Sequence, residues 1–263
     1  MTTEQLTLLC VYILTGIVGL CVGSFLNVVI YRVPLHMNIA FPASHCPKCN
    51  SEIAWYDNIP VLSYILLHGK CRHCKDPISP RYTIVELANM LLWLACAWCF
   101  WEESIPYAIC AMLAMSLMLC VFFIDLEHMI IMDRFQIMLL ALGVVMTLFD
   151  LSVIGSDLLS HLIGFAVGLA SFWFIAFLGE KILKKEALGG GDIKLAAVMG
   201  LILGWQKLLL AVLLASVAGS VVLLALKAKD KQFPFAPFLT SGFAIALLFG
   251  DFVIYWYFAL IVS

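Results

Sequence analysis

Eight long apolar segments separated by short polar connectors constrain this chain more than any motif it carries. They run at about residues 6–30, 83–101, 106–124, 135–150, 158–178, 193–205, 208–226 and 236–258. A transmembrane helix needs about 20 consecutive apolar residues, and in lipid only a helix or a closed barrel satisfies its own backbone. With 64% hydrophobic and 12% charged residues, the sequence excludes a soluble domain. It predicts an all-α polytopic membrane protein with about eight transmembrane helices. The first segment follows Met1-Thr2-Thr3-Glu4-Gln5, which has no basic residue, so it is expected to be a retained helix and not a cleaved signal. The expected domains are the first helix (1–31), a polar insert (32–82) and a seven-helix membrane core (83–263). Net charge, at −2, says little about partners; membrane lipid is expected as one and nucleic acid is not.

The connectors sort by charge. Arg32, Lys48, Lys70, Arg72, Lys75 and Arg81 fall in the first, Arg134 in the third and Lys181, Lys184, Lys185 and Lys194 in the fifth. Lys227, Lys229 and Lys231 fall in the seventh, and Lys207 alone lies in an even-numbered connector. By the positive-inside rule the odd connectors are cytoplasmic and both termini lie outside.

Two carboxylates stand out within this layout. Asp125 ends the third segment, 18 residues beyond Tyr107 and so about 27 Å along a helix, at the cytoplasmic edge of a core about 30 Å thick. Asp192 opens the sixth segment from the same side, in Gly189-Gly190-Gly191-Asp192, where three glycines give the backbone access to positive φ. An acidic residue at such a depth is a functional candidate, although the glycine run also reads as a flexible connector with an N-capping aspartate. Asp251 lies about 24 Å beyond Phe235, near the outer headgroups. Asp150, Asp157, Glu102 and Glu103 read as outer-loop residues, His161 as a polar contact between helices, and Glu86 is left open between Arg81 and a neighbouring helix.

The insert carries Cys46-Pro47-Lys48-Cys49 and Cys71-Arg72-His73-Cys74. Two CxxC pairs at this spacing suit four-thiolate zinc, with a redox dithiol as the alternative. A cytoplasmic location keeps thiols reduced, and a closed site has no open coordination position, so a structural role is expected. Cys96 and Cys99, together with Cys10, Cys21, Cys110 and Cys120, read as buried packing residues.

Taken together, these residues resemble the type IV prepilin peptidases, which are GxGD-type intramembrane aspartic proteases. The resemblance runs from Gly23-Ser24-Phe25-Leu26-Asn27 through Arg32-Val33-Pro34, both CxxC pairs and Trp55-Tyr56-Asp57-Asn58-Ile59-Pro60. It continues at Ser79-Pro80-Arg81-Tyr82, Val85-Glu86-Leu87, Ile124-Asp125-Leu126 and Gly189 to Leu195. It implies that Asp125 and Asp192 form the protease dyad. It also implies a substrate, a prepilin or pseudopilin whose short basic leader is cut after a glycine before an apolar helix. The implied location is the bacterial inner membrane. A second activity is implied as well, methyl transfer from S-adenosylmethionine to the new N-terminus, for which no nucleotide-binding fingerprint is found. Met132-Asp133 stands where the family has Pro-Asp, and Pro234-Phe235-Ala236-Pro237 where it has Pro-Phe-Gly-Pro.

The expected chemistry is one proton shared by two coupled carboxylates, one acting as base on a water and the other as acid toward the scissile carbonyl. Three other readings remain open: a cation-coupled carrier binding at broken helices, a membrane thiol oxidoreductase, and another GxGD protease of the presenilin or preflagellin kind.

Overall fold

The computed structural model describes residues 2–153, 157–183, 188–226 and 233–262. Of the basic residues weighed for topology, Lys184, Lys185, Lys227, Lys229 and Lys231 lie outside the described residues. The elements in order are α1 (Thr3–Arg32), a 3-10 turn (Trp55–Asn58), α2 (Leu62–Leu66), α3 (Arg81–Phe100), α4 (Ile105–His128), α5 (Asp133–Val153), α6 (Leu158–Leu183), α7 (Gly190–Ala225) and α8 (Ala236–Val262). No strand occurs among the described residues. The all-α expectation holds, and six helices (α1, α3, α4, α6, α7 and α8) are long and apolar enough to cross a membrane. The chain divides into two compact units, Met1–Trp98 and Cys99–Ser263.

In the first unit, α1 opens on a reciprocal capping box between Thr2 and Gln5. It runs antiparallel to α3, with Gly19 against Met90 and Gly23 against Glu86. Two buried asparagines fix the register: Asn89 donates to the Gly19 carbonyl at 2.8 Å and Asn27 to the Tyr82 carbonyl at 3.0 Å. Only this face of α1 is covered, so Cys10 and Cys21 are exposed, against the expectation that they pack inside. Cys96 and Cys120 are buried as expected. Arg32 ends α1 with its guanidinium folded onto the carbonyls of Asn38, Ile39 and Pro42, closing the loop that follows. Glu86 takes the Val61 N–H at 2.8 Å and a bond from Ser24. It thereby braces a β-branched residue at φ 61.

In the second unit α7 is the central element, and it unites two of the predicted segments. At 36 residues it would be about 54 Å long if straight, more than a bilayer core requires. It breaks at Gly204, whose φ of 74 and ψ of 170 are non-helical. Before the break every residue from Leu195 to Gly204 is buried. There α6 crosses α7 backbone to backbone: a Cβ on Gly200 would run into the Gly164 carbonyl, and one on Gly164 into the Gly200 carbonyl.

The break removes the usual helical donor from the Leu201 carbonyl, and in an apolar setting that acceptor needs others. Thr147 of α5 shares its hydroxyl proton between the Gly143 carbonyl at 2.8 Å and this one at 3.1 Å, and His161 of α6 approaches it through Nδ1 at 2.8 Å. The other nitrogen of His161 meets Asp150 at 2.9 Å. His161 is thus the interhelical contact expected of it. Asp150 stands in the last turn of α5 and not in a loop, because this partner draws it onto the helix. Asp251 pairs with Lys207 at 2.6 Å.

Gly200→Val should abolish the close crossing and prevent recovery of folded protein. His161→Ala, which removes the imidazole from between Asp150 and the Leu201 carbonyl, should cost about 3 kcal/mol, and His161→Gln, still able to donate to Leu201, should cost less. Thermal denaturation in detergent measures all three.

Candidate active site and four-cysteine cluster

Asp125 sits three residues from the end of α4. The helix stops because Met129 turns left-handed at φ 54 and returns its N–H to the Asp125 carbonyl at 2.9 Å. The Asp125 side chain is 6% exposed, and its Oδ2 accepts the N–H of Ala236 at 3.1 Å. Ala236 is the first residue of α8, where backbone N–H groups have no partner within their own helix. Within Pro234-Phe235-Ala236-Pro237 the prolines have no N–H to offer. An end-of-helix amide therefore points its partial positive charge at a carboxylate.

Asp192 occupies the first turn of α7 and its N–H bonds the Gly189 carbonyl at 3.1 Å. The glycine run does not use the positive φ expected of it: Gly189 is extended at φ −70, and the positive-φ glycines among the described residues are Gly69 and Gly204. The requirement is for space. A Cβ on Gly191 would lie 2.8 Å from Cβ of Ile131, in the turn between α4 and α5.

Two further contacts latch the start of α7 to that turn. Buried Gln136 donates to the Gly191 carbonyl at 3.0 Å, and Lys194 pairs with Asp133 at 2.7 Å. The turn follows Asp125 by only a few residues. This docking sets the start of α7, with Asp192 in its first turn, against the turn that follows Asp125. Asp192 Oδ1 is buried with no hydrogen-bond partner among the described residues. The sequence marked the two acids and the Pro234-Phe235-Ala236-Pro237 stretch, but not the bond from Ala236 to Asp125, nor Gln136 and Ile131. Gln136 carried a faint signal, as an amide at the start of an apolar segment. A backbone N–H carries none.

The four cysteines lie in the first unit, on two knuckles of one design. In the first, the Cys46 N–H bonds the Ser51 carbonyl at 2.9 Å, Asn50 turns at φ 57, and His45 bridges to Glu52. In the second, the Cys71 N–H bonds the Asp76 carbonyl at 2.8 Å, Lys75 turns at φ 62, and Lys70 bridges to Pro77. The Sγ atoms of Cys46, Cys49, Cys71 and Cys74 all lie within 4.8 Å of one another, a set able to hold one metal ion. Arg72 ties the second knuckle to the 3-10 turn, with Nε and one terminal nitrogen on the Asp57 carboxylate at 2.7 and 2.5 Å. The same guanidinium holds the Asp57 carboxyl below the usual carboxylate range.

Membrane-crossing helices that bring two acids together where α4 ends and α7 and α8 begin define a multi-span membrane protein with a paired-carboxylate site. Residues 17–100 match the bacterial peptidase A24 N-terminal domain, and residues 110–224 match the type IV leader peptidase family. Similar proteins include the prepilin leader peptidase/N-methyltransferase of Stutzerimonas stutzeri, 36% identical in an alignment that covers 89% of this chain and 89% of that protein. Its counterpart in Pseudomonas aeruginosa is 37% identical in an alignment that covers 90% of this chain and 90% of that protein. That of Myxococcus xanthus is 42% identical over 211 residues, 78% of this chain and 60% of that longer protein. The chain belongs to the type IV leader peptidase family. No solved structure matches it significantly.

Of the two latches, the buried amide should matter more. Lys194→Ala, in a pair with side chains 57% and 67% exposed, should shift stability by less than about 1 kcal/mol, and Gln136→Ala should cost about 1–2 kcal/mol. Thermal unfolding of the purified variants checks the order. Metal analysis should find about one ion per chain in the wild type and next to none in Cys46→Ser, as expected when a four-ligand site loses one thiolate.

Proposed function

We propose that this chain is a membrane aspartic endopeptidase that removes the leader of prepilins or pseudopilins, with Asp125 and Asp192 as its catalytic pair. The docking of the start of α7, which carries Asp192, onto the turn that follows Asp125 carries this reading. A buried carboxylate oxygen without a donor costs about 1–3 kcal/mol and in a native fold demands a reason; an attacking water held between the two acids supplies one at Asp192 Oδ1. One carboxylate takes a proton from that water while the other, protonated, donates to the scissile carbonyl. The Ala236 N–H fixes the orientation of the Asp125 carboxyl throughout.

On the charge distribution of the connectors the pair belongs to the cytoplasmic side of a bacterial inner membrane. There the apolar helix of a substrate lies in lipid and its basic leader stays in water. The relatives' names support a second step, N-methylation of the freed amine with S-adenosylmethionine as donor. The described residues contain no strand that could carry a dinucleotide-type glycine turn. Methyl transfer is therefore proposed on family alone, with no residue assigned to it.

For the cysteine cluster the ion is zinc. Zn–S bonds of about 2.3 Å give a tetrahedron with edges of about 3.8 Å, and Cys46 and Cys74 are 3.8 Å apart. Bound there by four thiolates it supplies cross-linking of the insert (residues 32–82) and no catalysis.

Asp125→Asn and Asp192→Asn, each purified folded, should lose at least about 10³-fold in leader removal, as expected for a group essential to acid–base chemistry. Mass spectrometry of the new N-terminus of a prepilin gives the readout. Cleavage retained in either variant removes that residue from the pair.

A further inference from the structure

The short helix α2 presents an apolar face to its surroundings. Leu62, Ile65 and Leu66, three and four residues apart on one side of it, are 49%, 62% and 67% exposed. The other side is anchored: Ser63 is buried, and its hydroxyl donates to the Tyr56 carbonyl at 3.1 Å. That bond sets α2 beside the 3-10 turn, where Trp55, 81% exposed, meets Tyr56 edge to face. Exposed apolar side chains gathered in one place mark a surface that has a partner.

Depth identifies the partner. The apolar run of α1, residues 6–30, is about 37 Å long as a helix, and a bilayer core is about 30 Å thick. Wherever the core falls within that run, Gly23 lies about 5 to 10 Å inside its boundary on the insert's side. Glu86 of α3 is level with Gly23, since a Cβ on that glycine would sit 2.7 Å from the Glu86 Cα. The Glu86 carboxylate in turn accepts the N–H of Val61, the residue before α2, at 2.8 Å. Through this bond α2 starts at the edge of the hydrocarbon and not out in bulk water.

Two more observations agree. On α3 the exposed residues Ile84, Leu87 and Leu91 follow helical spacing and form the surface that a spanning helix turns to lipid. Held by Glu86, which lies between the first two of them, α2 adjoins that surface. Residues 32–82 also hold six basic and three acidic side chains. Four thiolates around a divalent ion take away two positive charges and still leave the insert cationic, which suits the anionic headgroups of a cytoplasmic leaflet.

We propose that α2 is an interfacial anchor: Leu62, Ile65 and Leu66 lie among the upper acyl chains of the cytoplasmic leaflet, with Trp55 and Tyr56 at the headgroups. Tryptophan and tyrosine favour that layer because their apolar rings and polar tips are both accommodated there. The four-cysteine insert accordingly rests on the membrane along this edge. A helix of five residues, too short to hold its shape in water alone, gains lipid for its bare side as well as Glu86 and Tyr56 for its bonded one.

Photocrosslinking of the full chain tests this. p-Benzoylphenylalanine replaces Ile65 or Leu66 singly, and Leu91 as the lipid-facing reference, in vesicles of phosphatidylethanolamine and phosphatidylglycerol. All three positions are exposed, so the bulky replacement has room without repacking the interior. After illumination, mass spectrometry should find a phospholipid adduct at positions 65 and 66 as at 91. An adduct at 91 with none at 65 and 66 overturns the anchor. Adducts from 65 and 66 to a second copy of the chain, or to an added prepilin, in place of lipid overturn it as well.

Discussion

The Leu201 carbonyl is the pivot of the second unit. A helix buried on all sides cannot stop in hydrocarbon unless its last acceptors find donors, and the break at Gly204 makes this carbonyl such an acceptor. Thr147 and His161 answer it, and His161 in turn needs Asp150. One break in α7 therefore accounts for most of the polar atoms that α5 and α6 bury. It also makes the preceding half of α7 a short, fully enclosed rod whose opposite end carries Asp192. With α6 pressed against the same stretch at Gly200, the rod has no freedom to slide, and the depth of Asp192 follows in part from contacts two turns further along the helix.

At that opposite end three helix termini converge. α4 finishes there, and α7 and α8 begin. Two helix beginnings supply main-chain N–H groups and the positive ends of two dipoles, which suits a place where two acids must sit together in a poor dielectric. The nearby Lys194–Asp133 pair is exposed and belongs to the latch.

The sequence was readable wherever a property repeats or a charge is out of place. Apolar length gave the helices, and it marked the two halves of α7 as separate segments because Trp205, Gln206 and Lys207 interrupt the run where the backbone turns. Asp125 and Asp192 were conspicuous as acids at the ends of apolar runs, and the CxxC spacing picked out the four cysteines whose Sγ atoms cluster. Features that depend on partners were not readable. The glycines before Asp192 suggested unusual dihedrals, but they matter through the bulk of Ile131, which no local pattern announces. Cys10 and Cys21 were assigned to the interior on residue type, yet their exposure follows from how little of α1 is covered. Nothing local marks the role of Gln136, because its acceptor lies 55 positions away.

The bond from Ala236 to Asp125 has a practical corollary. Its donor belongs to the main chain, so changing the side chain at 236 to any residue but proline leaves the donor in place. A conventional alanine scan is blind at this position, since alanine is already there, and would score the start of α8 as tolerant. Only chemistry that edits the peptide unit itself, such as exchange of the amide for an ester, reveals how much of the behaviour of Asp125 is borrowed from the backbone of another helix.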